Sequence, residues 1–143
     1  MFYDLSPKSP KAKAIPPLDR GAQIPELPEI DTVDVLDLEG NFASMSGDLI
    51  WSSRVVTAEG EAAQQIAQRW RQLIPGESAR CHTPPFGLRF SFKGEILFQA
   101  SICWECNNMY LYRQGCRSLY GLDLEKPAAR ELFYILEKIM KSR

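Results

Sequence analysis

The sequence predicts an α+β domain: an antiparallel sheet of about five strands with two helices, in the order β-β-α-β-β-β-α. Three observations carry this. Leu88, Phe90 and Phe92 alternate with Arg89, Ser91 and Lys93, and after Lys93-Gly94 the chain returns as Ile96, Phe98, Ala100 and Ile102. Period-two alternation on both sides of a glycine turn is the signature of a β-hairpin. Elsewhere apolar residues recur at helical spacing, as Ala62, Ile66, Ala67, Trp70, Leu73 and Ile74, and again as Leu132, Phe133, Ile135, Leu136, Ile139 and Met140. Consecutive strands separate the two helices, which argues against an alternating α/β architecture.

Residues 1–30 hold six of the ten prolines (Pro7, Pro10, Pro16, Pro17, Pro25 and Pro28). Each removes a backbone donor and fixes φ, so this stretch reads as an extended arm pinned by Ile15, Leu18, Ile24 and Leu27. The domain proper, 31–143, opens with a strand over Thr32–Leu38 whose Val33, Val35, Leu36 and Leu38 reach a core, closed by the turn residues Glu39-Gly40-Asn41. Leu49–Val56 forms a second strand. Thr57 caps the first helix, Glu59 and Glu61 favour its positive end, and Pro75-Gly76 stops it. The hairpin follows, then a strand over Asn108–Arg113, a polar turn, and a last helix capped near Asp123 with Pro127 in its first turn.

Composition excludes several classes of function. The chain has 143 residues, 45% apolar and 24% charged, enough for one well-filled domain and unlike a disordered chain. Seventeen basic residues face eighteen acidic ones, for a net charge of −1. Without a basic stripe there is no footprint for nucleic acid, and the lysines near each end read as solvated termini. No run approaches the roughly 18 apolar residues that span a bilayer, and the N-terminus has no secretory pattern. No membrane association and a cytoplasmic address are therefore expected.

The unusual chemistry lies in the cysteines. Cys103-Trp104-Glu105-Cys106 falls where one strand ends and the next begins, with Asn107-Asn108 able to adopt left-handed turn geometry. Two thiolates so spaced can face one zinc ion, and Cys81, His82 and Cys116 are the residues that could complete a site. Cys81, His82, Cys103 and Cys106 are the candidate metal ligands. Cys81 and His82 are adjacent, so in extended chain their side chains point to opposite sides. Three readings stay open beside zinc: cysteines buried as small hydrophobes, a disulfide from Cys81 to Cys103 or Cys106, and a thiol activated by His82. A redox motif of the thioredoxin kind places its cysteines at a helix start, whereas here a strand follows. With no third orienting group and no Gly-rich phosphate loop or serine elbow, a non-enzymatic role is expected.

Cys81-His82-Thr83-Pro84-Pro85-Phe86-Gly87-Leu88-Arg89-Phe90, followed by Ser101-Ile102-Cys103-Trp104-Glu105-Cys106-Asn107-Asn108, resembles a pattern in small bacterial proteins of uncharacterised activity. These pair a Cys-x-x-Pro-x-x-Gly-[Leu/Ile]-Arg segment with an aliphatic-Cys-aromatic-x-Cys strand end. The resemblance spans about residues 55–140 by motif order and has no counterpart for the first thirty residues. It implies that Cys81, Cys103 and Cys106 act as one structural unit, and it carries no activity with it.

The leading functional expectation is a domain that binds a protein partner, most concretely a bacterial toxin-immunity protein. It rests on the missing catalytic set and on aromatic residues along strands (Trp51, Trp104, Tyr110, Tyr112 and Tyr120), since Trp and Tyr are enriched at interface hot spots. Trp104, Tyr110 and Tyr112 are the candidate partner-binding residues. A metal- or redox-responsive protein built on the Cys/His patch is the alternative, and a structural subunit of a larger complex is a third. The arm and an exposed strand edge are both compatible with a homodimer.

Overall fold

The computed structural model describes residues 24–40, 44–46, 49–113 and 116–142. Strands β1 (Thr32–Asp37), β2 (Ser44–Ser46), β3 (Leu49–Trp51) and β4 (Val55–Glu59) precede helix α1 (Gly60–Trp70). Strands β5 (Phe86–Phe92), β6 (Glu95–Cys103), β7 (Asn108–Arg113) and β8 (Cys116–Gly121) follow, and α2 (Pro127–Lys141) ends the fold. Six strands form one antiparallel sheet in the order β4-β1-β5-β6-β7-β8, and β2 pairs with β3 as a separate hairpin. The α+β class stands, with more strands than expected.

Both helices cover one sheet face. Val33, Val35, Leu88, Phe90, Ala100, Ile102, Met109 and Leu111 point into that core from the strands, meeting Ile66, Trp70, Leu132 and Leu136 from the helices. Trp70 sets its ring edge-on to Phe90 at 5.0 Å between centroids. Full burial of side chains of this size contributes roughly 1.5–3 kcal/mol each, so this layer is the main source of stability.

The differences from the sequence reading are local. The stretch expected as one strand over Leu49–Val56 breaks at Ser52–Arg54 into β3 and β4. Thr57 lies within β4 and donates to Asp34 Oδ1 (2.7 Å) in place of capping a helix; α1 starts at Gly60, where φ is +61°, with no side-chain cap. The helix stops at Trp70, so Leu73 is buried from the loop beyond it and Ile74 is exposed. Lys126, not Asp123, precedes the first turn of α2, where Pro127 sits as expected. In the long hairpin, Phe90 pairs with Phe98 and Ser91 with Ile96, so Leu97 is an extra, unpaired residue. Such a bulge twists the strand and ends strict alternation. The turn itself is as read, with Lys93 and Gly94 both at positive φ.

The end of the proline-rich arm lies on the domain. Leu27 and Ile30 are buried, Arg71 donates to the carbonyls of Leu27 (3.3 Å) and Pro28 (2.8 Å), and Gln64 to that of Ile30 (2.8 Å). Ile15 and Leu18 fall outside the described residues. No helix among the described residues is long and apolar enough to cross a membrane.

Candidate functional site

Between α1 and β5 the chain runs as a belt across one end of the sheet. Its backbone bonds mark the route: Gly76 to Gly121 beside β8, Ala79 to Cys106 at the β6–β7 turn, then Pro84 and Pro85 accepting from Gly40 and Leu38 at the end of β1. Close approach requires glycine at the crossing, because a Cβ on Gly121 would stand 2.3 Å from the Gly76 carbonyl oxygen. The belt thus delivers Ser78, Cys81, His82 and Thr83 onto the turn that carries Cys103, Cys106 and Asn108.

Cys81 and Cys106 are joined by a disulfide, with Cα atoms 5.8 Å apart. Cys103 is a buried free thiol beside it. The Cys106 backbone N–H donates to Cys103 Sγ (3.2 Å), and Thr83 Oγ1 lies 3.5 Å from Cys103 Sγ and 3.8 Å from Cys106 Sγ. The side chain of Cys116 lies outside the described residues.

His82 turns the other way, as alternation requires. Asn108 donates through Nδ2 to Ser78 Oγ (2.9 Å) and to the Cys81 carbonyl (2.8 Å), which leaves Oδ1 facing His82 Nδ1 at 2.7 Å. Nδ1 therefore carries the ring proton, and Nε2 accepts the Ser101 hydroxyl at 2.8 Å. Tyr110 meets the ring edge-on at 4.6 Å. Burial holds the His82 pKa below its ordinary value, and the bond to Asn108 opposes this in part. Serine, histidine and asparagine here form a hydrogen-bonded chain, but Ser101 is completely buried within β6. Its role is to satisfy polar groups at the junction between belt and sheet.

The four candidate metal ligands are thus divided. Two share the disulfide, the third thiol is buried next to it, and His82 engages both ring nitrogens on the opposite side. Among the described residues no group of three or more His, Cys, Asp or Glu side chains is placed to hold a metal ion.

The candidate binding aromatics are divided as well. Trp104 sits on the helix side, donating to the Ala129 carbonyl (3.0 Å) and packing edge-on against Phe133. Tyr110 and Tyr112 lie on the opposite face, stacked at 6.5 Å, with Tyr112 buried. Burial raises the Tyr112 pKa, against the lowering effect of the neighbouring Ser101 and Arg117.

That opposite face is the part sequence reasoning missed. Strand register aligns Thr57, Asp34, Arg89, Gln99, Tyr112 and Arg117 in one row across all six strands. Arg89 pairs with Asp34 at 2.9 Å and donates to the Ile50 carbonyl at 2.7 Å, while Gln99 Oε1 accepts the Ile50 N–H at 2.8 Å. Ile50 is buried among Leu36, Leu38 and Tyr112. The β2–β3 hairpin is therefore clamped onto the sheet by its central residue. Alternation then turns Leu49 (40% exposed) and Trp51 (57% exposed) outward, and Val55 on the edge strand β4 is exposed as well. A signal existed in the sequence: alternation turns Arg89 and Gln99 to the face away from the helices, and each needs a partner once that face is half covered.

No family model, curated protein or solved structure matches the chain.

Proposed function

We propose that this domain is a non-enzymatic protein-binding module, most concretely a toxin-neutralising immunity protein, and that it binds through the outward side of the β2–β3 hairpin. The observation that carries the reading is Trp51. A tryptophan 57% exposed on a strand, with Leu49 and Val55 also exposed, is costly to leave in water and typical of an interface anchor. The clamp on Ile50 adds the second requirement of a good binding surface, because a backbone held in place before encounter loses less entropy on docking. Trp104, committed to the helix layer, is not part of this surface, and Tyr110 and Tyr112 support it from beneath.

The Cys81–Cys106 disulfide favours maturation in an oxidising compartment over the cytoplasmic address expected from the sequence, since such bonds persist where thiols are kept oxidised. Trapping the thiols in cells with acid and an alkylating agent reads this directly. A bonded pair in freshly trapped protein supports it, and two alkylated thiols oppose it.

The binding test uses the tagged protein expressed in its source cells. A partner retained by the wild type and by Tyr134→Ala, but lost from Trp51→Ala and Leu49→Asp, supports the surface. Tyr134 is the matched control because it is also 57% exposed, on α2. Equal retention by all variants shows that the partner does not dock on the hairpin.

A further inference from the structure

We propose that Cys103 is an internal nucleophile that exchanges into the Cys81–Cys106 disulfide and releases Cys81 as a reactive surface thiol. The proposal is independent of the binding surface and rests on the arrangement of three sulfurs. Cys106 is bonded to Cys81, on the belt, and lies three residues from Cys103 on the β6–β7 turn. Thr83 Oγ1 reaches Cys103 Sγ and Cys106 Sγ alike, at 3.5 and 3.8 Å, which places these two sulfurs around one hydroxyl. The Cys106 N–H donated to Cys103 Sγ draws that sulfur toward the residue it would attack. Burial differs across the set: Cys103 and Cys106 are closed to water, while Cys81 is exposed.

The step is a thiol–disulfide exchange. Cys103 gives up its proton to solvent by way of the Thr83 hydroxyl, 3.5 Å from its sulfur, and that sulfur attacks Cys106 Sγ. The Cys103–Cys106 bond forms, the Cys106–Cys81 bond breaks, and the electron pair passes to Cys81 Sγ, which takes up a proton. Three cysteines share one disulfide before and after, so no oxidant or reductant is consumed. What changes is position. The new bond lies within a single turn, the belt loses its covalent tie to the sheet, and an exposed thiol appears at Cys81. In that state Cys81 is a modification site for electrophiles and for exchange with small-molecule or protein disulfides.

The test uses the full chain purified without reductant, with Cys116→Ser so that three cysteines remain. The folded protein is held with N-ethylmaleimide and mapped as unreduced peptides. The expected result is maleimide on Cys81 together with a Cys103–Cys106 disulfide. Adding Cys103→Ser should slow Cys81 labelling about tenfold or more, and Thr83→Val should slow it while leaving all three sulfurs in place. Cys103→Ala serves if the serine variant does not fold. Maleimide on Cys103 with the Cys81–Cys106 bond intact overturns the proposal, as does labelling of Cys81 at an unchanged rate without Cys103. Joint labelling of Cys81 and Cys106 also overturns it, because that pattern marks reduction from outside. So does a native protein in which no cysteine is labelled over days.

Discussion

Asn108 is buried where the belt meets the sheet, and its amide binds Ser78, the Cys81 carbonyl and His82. Removing it strands buried polar groups, so Asn108→Ala is expected to cost about 1–3 kcal/mol in urea unfolding. His82 brings a pH dependence whose sign follows from burial. The folded state holds the neutral ring, so as pH falls the unfolded chain takes up the proton first. Stability from this residue is complete above the ordinary value of 6.5 and is lost as pH falls through 6.5 toward the lower folded value. His82→Gln is expected to flatten that limb of a urea-midpoint profile between pH 7.5 and 5. The sequence marked His82 and the cysteines because their types are rare in the chain. It could not mark Ser101 or Asn108, whose roles appear only when register sets β6 beside β7 and the belt above both.

At the scale of elements, the clamp on the hairpin is the feature with most consequence. Gln99 and Arg89 hold the backbone of Ile50 from neighbouring strands. Gln99→Leu is expected to speed exchange of the Ile50 amide by about tenfold or more while core amides of β5 keep their protection, as measured by hydrogen exchange. The core strands were legible because their alternation is local: Val33 and Val35 are buried in the core beneath the helices, while Leu36 and Leu38 are buried with Ile50 on the other face. What was not legible depends on partners far along the chain. Thr57 resembles a helix cap until Asp34 is placed opposite it, and Leu97 joins an alternating strand until its partner strand skips it.

Over the whole molecule, the belt ties the helix layer to the far end of the sheet, and two contacts decide how firmly. Loss of the disulfide in Cys81→Ala frees a link spanning 25 residues. The chain-entropy model puts the cost at about 3.5 kcal/mol, seen as a lowered urea midpoint. Gly121→Ala drives a methyl group into the Gly76 carbonyl and is expected to cost about 1–3 kcal/mol, without altering the redox state of the cysteines. The resemblance motif also acquires a physical reading here. Its cysteines staple belt to turn, its glycine (Gly87) leaves room for Leu38, and its arginine (Arg89) holds the hairpin.

The central claim is that a protein partner docks on the outward side of that hairpin. Its most direct test is photo-crosslinking in living source cells, with a benzophenone amino acid placed at position 51 in one protein and at position 134 in another. These two positions are equally exposed, on opposite layers of the fold. A single discrete adduct is expected from position 51 and none of that mass from position 134. The same adducts from both positions, or none from position 51, would contradict it.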